Sequence, residues 1–226
     1  MSIYRRALGA DFERLHPKMQ ARFGFDSSDG LASIGTGVMD EMWRGPWWTV
    51  PFLWFGKWRS IMFPDTGMNI PFTVHNYAYK DRFGRETVTW VRYFEFAKHR
   101  RRFEATMIFA ESRGRVIDYI GNHQHLAVDM ECSVDEGTRG MRFRSGEQRL
   151  YEGRLGVRFP LALSGIADVV EWYDDEAGEF RIEVEVRNRL FGGLFGYRGR
   201  FEVEFIEIHP SKIPPMVKPL REELRE

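Results

Sequence analysis

The chain has 226 residues, with 33 basic side chains balanced by 33 acidic ones, so no global field draws it to nucleic acid or to an anionic membrane. Hydrophobic residues make up 43% and aromatics 15%, more bulky apolar surface than a core alone requires. Neither a signal-peptide stretch after Met1-Ser-Ile-Tyr-Arg-Arg nor a run of roughly 20 apolar residues occurs, which makes a cytoplasmic location the expectation.

No Ser, Gly or Pro-rich linker divides the sequence, and one domain over 1–226 is expected. In the opening segment, 1–24, Leu8, Phe12, Leu15 and Met19 fall along one helical face. Gly9 and the His16-Pro17 step break it into two short helices, the second starting near Pro17 and ending at Gly24. A first strand follows over Leu31 to Met42, in which Gly35 and Gly37 mark a bend or a close backbone approach.

Residues 45–64 hold four of the seven tryptophans, Trp47, Trp48, Trp54 and Trp58. Thr49 can cap and Pro51 begin a short helix with Phe52, Phe55, Trp58 and Met62 on one face. The plain reading is a helical cap on the sheet. The sharper one is a lid over a ligand mouth or a membrane-surface anchor, since Trp beside Arg44, Lys57 and Arg59 suits an apolar and polar boundary.

From Asn69 to Ile208 runs of alternating apolar and polar residues recur, closed by Gly, Asp or Asn turns such as Asp81-Arg-Phe-Gly84 and Asp174-Asp-Glu-Ala-Gly178. Strands are expected at 70–79, 86–96, 102–112, 115–120, 125–134, 139–143, 148–154, 167–173, 179–186 and 200–208. In the clearest, Phe180, Ile182, Val184 and Val186 make one apolar face, and Arg181, Glu183, Glu185 and Arg187 a charged one. The tail 209–226 is Pro-rich and charged, and should be extended, then ragged or briefly helical. The fold class is therefore mainly β (α+β). We expect an antiparallel barrel or strongly curved half-barrel of about ten strands, similar in architecture to the calycins, with short N-terminal helices and a Trp-rich cap.

Arg92 shares its parity with Trp90 and Phe94 and so points to the apolar side, where an unpaired guanidinium costs several kcal/mol. It either anchors a ligand or makes a structural salt bridge, with Glu104 or Glu171 as the candidate partner. His123 and His125, with Asp118 and Asp129 nearby, offer metal-type ligands, but motif spacing for a third ligand is missing and no metal is expected. Cys132 alternates with Leu126, Val128 and Met130 and reads as a buried structural thiol. The segment Gly193-Leu-Phe-Gly196-Tyr-Arg-Gly199 leads into another alternating strand instead of a helix, so it reads as a kinked hairpin, not a phosphate loop.

Ile70-Pro-Phe-Thr-Val-His-Asn-Tyr-Ala-Tyr-Lys-Asp-Arg-Phe-Gly84, Trp90-Val-Arg-Tyr-Phe94, Asp118-Tyr-Ile-Gly121, Ser145-Gly-Glu-Gln148, Glu171-Trp-Tyr173 and Phe195-Gly-Tyr-Arg-Gly199 together resemble a bacterial domain-of-unknown-function family. The resemblance implies a stand-alone protein or the C-terminal part of a fusion with a saccharopine-dehydrogenase-like or short-chain-dehydrogenase-like NAD-binding domain. It brings no activity, cofactor or catalytic residue.

Three functions follow as expectations. The first is a non-enzymatic protein that takes an apolar or lipid-like ligand in a barrel cavity, with Arg92 and His75 as polar anchors and Trp90, Glu171, Trp54 and Trp58 around it. The second is an accessory domain that docks on an NAD-dependent oxidoreductase through the Trp-rich surface. The third is an enzyme in which Arg92, His75 and Glu171 meet in the cavity.

Overall fold

The computed structural model describes residues 1–47, 64–160, 164–209 and 212–226. Two short helices open the chain, α1 (Ile3–Leu8) and α2 (Pro17–Gly24), joined by a 3-10 helix at Gly9–Arg14. Ser2 caps α1 by accepting from the Arg5 amide at 3.1 Å. His16 caps α2 through Nδ1, which accepts from the Lys18 amide at 3.2 Å, and Pro17 sits where its missing N–H costs nothing.

Among the described residues eleven antiparallel strands follow: β1 (Leu31–Arg44), β2 (Gly67–Lys80), β3 (Glu86–Phe96), β4 (His99–Ala110), β5 (Arg115–Ile120), β6 (Leu126–Asp135), β7 (Gly140–Glu152), β8 (Leu155–Phe159), β9 (Ile166–Asp174), β10 (Glu179–Asn188) and β11 (Gly192–Glu207). Their order is β6-β5-β4-β3-β2-β1-β11-β10-β9-β7, and β7 also pairs with β6. That last pairing closes a ten-stranded barrel. It settles the choice between barrel and half-barrel, and closure removes the free edges that an open sheet would expose. β8 stands outside the ring, hydrogen-bonded to β7 alone among the strands.

Two local expectations are corrected. The strands expected at 139–143 and 148–154 are one strand, β7, because a bulge near Gly146 and Glu147 lets the chain continue: Val128 and Met130 of β6 face Gln148 and Ser145. The Gly193–Gly199 segment is not a hairpin but the first half of β11. A Cβ at Gly196 would lie 2.5 Å from the Trp43 ring, so glycine there admits an aromatic neighbour. Gly37 meets the expectation of close approach, since its Cβ would lie 2.0 Å from the Arg200 carbonyl oxygen.

The tail is briefly helical, as expected. After a 3-10 turn at Pro215–Val217 it lies along the outer wall, tied down by Tyr119 Oη donating to the Arg225 carbonyl at 2.7 Å and Arg85 Nη2 donating to the Glu223 carbonyl at 2.7 Å. Ile213 and Val217 pack with Tyr77, Tyr79 and Val91. Bonds from β5 and from the β2–β3 turn hold the segment against the wall.

The barrel interior is shared by two contents. Ile3, Tyr4, Phe12, Leu15, Met19 and Phe23, all buried, enter one end as a plug. Tyr4 meets Phe23 edge-on at 5.0 Å and Phe143 at 5.7 Å. At about 1.5–3 kcal/mol for each large apolar side chain removed from water, the plug helices are held by burial rather than by helix propensity. No helix among the described residues is long and apolar enough to cross a membrane.

Candidate functional site

On β3 the alternation turns Val88, Trp90, Arg92 and Phe94 into the barrel, all buried. Val88 and Trp90 meet the plug. Trp90 Nε1 donates to Tyr4 Oη at 2.8 Å, and that hydroxyl reaches Met107 Sδ at 3.4 Å. Beyond Trp90 the filling stops, and a cavity of about 300 Å³ occupies the other end of the barrel. Its wall is chiefly apolar, with Phe94, Phe103, Val169, Val184 and Phe195 among the contributors.

Two charged side chains stand in that wall, Arg92 and Asp118, 7% and 8% exposed. The Arg92 guanidinium carbon lies 4.8 Å from the Trp90 ring centroid and 4.9 Å from that of Phe103, so two aromatic rings fix it. Among the described residues neither Nε nor Nη1 has a hydrogen-bond partner, and Oδ1 of Asp118 has none either. The two groups feel one another's charge, but they are not in contact as an ion pair. Burial pushes the Asp118 carboxyl up to about 7 against a smaller downward pull from Arg92. Ser145 and Gln148 add neutral polarity. The Ser145 hydroxyl accepts from the Ala167 amide at 2.7 Å, and the Gln148 amide donates to the Gly165 carbonyl at 2.6 Å.

The structure thus brings Trp90 and Arg92 together at the cavity and places His75 and Glu171 elsewhere. His75 is on the outer face, in register with Ile34 and Val91 and edge-on to Tyr93 at 5.7 Å. Partial burial lowers its pKa. Glu171 is fully buried inside the barrel but belongs to the plug, where its carboxylate accepts from Arg22 Nε and, at 3.5 Å, from Nη2, while Arg22 Nη1 donates to Ser33 Oγ at 2.8 Å. Arg92, His75 and Glu171 therefore do not meet. Neither expected salt-bridge partner reaches Arg92, for Glu104 pairs with Arg102. Trp54 and Trp58, with the expected helical cap, lie outside the described residues.

His123 and His125 stack at 5.3 Å in the β5–β6 turn, with His123 Nδ1 against Asn122 Oδ1 and His125 Nδ1 against the Tyr151 carbonyl. Asp129 is held by Arg113 and Arg149, and Asp118 faces the cavity. Among the described residues no three His, Cys, Asp or Glu side chains are grouped to hold a metal ion. Cys132 packs against the core, and burial pushes its thiol up to about 12.

Sequence reasoning missed Asp118 as a cavity residue. Val116, Asp118 and Ile120 alternate on β5 as Trp90, Arg92 and Phe94 do on β3, and the parity argument applied to Arg92 finds it equally well. Phe103, Ser145 and Gln148 carry no comparable signal.

Comparison with known proteins adds kinship without chemistry. The chain is similar to the Uncharacterized protein YndH of Bacillus subtilis (strain 168), 33% identical over 205 residues that cover 90% of this chain and 97% of that one. No solved structure matches it significantly. The family model described as Domain of unknown function (DUF4166) matches residues 15–201, and the chain belongs to that family.

Proposed function

We propose that the protein binds an apolar small molecule inside the barrel, in the space between the plug and the opposite rim. One observation carries this reading: an apolar cavity of about 300 Å³ whose wall includes two buried charged side chains, Arg92 and Asp118, with polar atoms that meet no hydrogen-bond partner among the described residues. An unpaired buried charge costs several kcal/mol, so two on one void point to a partner from outside the chain. The volume sits at the low end of the range for small-molecule pockets. The two rings against Arg92 fix the anchor before any ligand arrives, which lowers the entropy lost on binding.

Native mass spectrometry of the protein as purified from cells tests the reading, with Ala167→Phe as the filled-cavity control. A small-molecule adduct on the wild-type chain that is lost from a folded Ala167→Phe chain is the expected result. An adduct that survives the filled cavity would place the ligand elsewhere.

A second reading is docking on a protein partner such as an NAD-dependent oxidoreductase, favoured by the exposure of Trp47 at 81% and Leu190 at 68%. Ligand retention unchanged in Trp47→Ser and Leu190→Ser, with loss of co-elution with an added oxidoreductase domain, would favour docking.

A further inference from the structure

The cavity has two anchors of opposite formal charge, and together they restrict what the polar end of an occupant can be. Arg92 offers only donors and cannot lose its proton. Asp118 accepts when ionised and both donates and accepts when protonated. They are more than an ion-pair distance apart, so a single polar atom serves them poorly, whereas a head with two polar atoms on one carbon can touch both. Carboxyl and primary amide groups have that shape. The carboxyl group has the stronger claim, because a guanidinium to carboxylate hydrogen bond is roughly twice as strong as a neutral one. A phosphate monoester would bring more negative charge into this low-dielectric space than one guanidinium offsets.

Charge balance fixes the protonation. Arg92 and an ionised Asp118 make the empty site neutral, and a bare carboxylate would leave it one charge negative. One proton shared between the Asp118 carboxyl and the ligand carboxyl restores neutrality, as when two carboxyls share a site. The volume sets the body of the molecule. At the roughly 30 Å³ that one water takes up in the liquid, 300 Å³ holds about ten non-hydrogen atoms.

Building on the cavity-binding reading above, we infer that the occupant is a medium-chain monocarboxylic acid, its carboxyl group set between Arg92 and Asp118 and sharing one proton with Asp118. The charged and titratable groups facing Asp118 are Arg92 from β3 and the Tyr4 phenol from α1, while its in-register neighbours Met107 on β4 and Val128 on β6 are apolar. Burial raises the phenol far above the usual range, so Asp118 is the group whose proton is exchanged near neutrality. A carboxylate then binds readily below about pH 7. Above it, each bound molecule takes up one proton from solvent, and affinity falls about tenfold per pH unit.

The test is isothermal titration calorimetry on the full chain stripped of bound lipid, with octanoic acid, octanamide, octanol and octylamine as probes of one chain length. At pH 6.5 octanoic acid should bind about tenfold tighter than any of the other three. Between pH 7.5 and 9 its affinity should fall while that of octanamide stays level, and paired buffers of different ionisation enthalpy should report the proton uptake. Asp118→Asn should abolish the fall, and Arg92→Met, with Arg92→Gln in reserve should it not fold, should erase the preference for the acid.

If all four probes bind alike, or Arg92→Met binds the acid unchanged, the head-group assignment is overturned and the cavity reading stands. If the acid still weakens with pH in Asp118→Asn, the shared proton is overturned. If none of the four binds and native mass spectrometry finds no adduct, the cavity reading itself falls.

Discussion

The two ends of the barrel interior each bury an arginine and a carboxylate, and they treat them in opposite ways. At the plug end Arg22 and Glu171 are joined to each other, with Ser33 taking a further guanidinium N–H. At the cavity end Arg92 and Asp118 stay apart, each with buried polar atoms that meet no hydrogen-bond partner among the described residues. Burial is nearly equal, at 3% and 0% exposed for the first pair and 7% and 8% for the second. Buried charge alone does not mark a site. Buried charge that the fold leaves unsatisfied, beside empty space, does.

The largest effect that could break this contrast comes from Arg22. Arg22→Met strands the Glu171 carboxylate in the core and should destabilise by about 3–5 kcal/mol in urea melts. A cost below about 1 kcal/mol would mean that the plug pair is no scaffold.

Asp118 has the next largest. Its carboxyl is raised in the folded chain from 3.8 to about 7, so the folded state holds the proton more tightly, and the resulting stability is full below about pH 4 and lost as pH rises through 7. Asp118→Asn should therefore match the wild type at pH 4 and exceed it by about 2–4 kcal/mol at pH 8. Equal stability at both pH values would place Asp118 in a wetter setting.

A third comparison stays on one strand and one face. Ile182 packs at the plug end and Val186 lines the cavity. Ile182→Ala should cost about 2 kcal/mol or more, Val186→Ala only about 1 because part of its surface already faces a void, and the exposed Glu183→Lys less than about 0.5. Equal costs at 182 and 186 would show the cavity to be as tightly packed as the plug.

No loss of stability is expected of Arg92→Met, which keeps much of the volume and removes an unpaired buried charge. Thermal melts without ligand should show the variant as stable as the wild type or more so. A loss as large as that of Arg22→Met would make Arg92 scaffold and erase the difference between the two ends.

Much of the fold was legible because it rests on local period. Alternation over Phe180 to Val186 gave that strand its inner and outer faces, the His16-Pro17 step placed the start of α2, and parity turned Arg92 inward beside Trp90. What stayed hidden is set by partners distant in the chain. Parity says which face a side chain takes but not which neighbour crosses the barrel to meet it, so Glu171 could be offered to Arg92 when Arg22, from a helix before the first strand, takes it. His75 shows the same limit from the other side, because Thr73 and Tyr77 gave its face a mixed character that only the strand register resolves. The β7 bulge changed parity within a strand, and alternation has no term for that.

The pairing of Leu31 on β1 with Glu207 on β11 makes the closing seam the one of greatest sequence separation in the ring. Every other seam of the ring joins strands that follow one another or nearly so, and these can zip as they are made. The β1–β11 seam must wait until β11 has been made. Until then β1 shows a bare edge and the plug has no complete wall to fill. Contacts of such sequence separation slow folding, and the nascent chain in that interval is the form most exposed to edge-to-edge association.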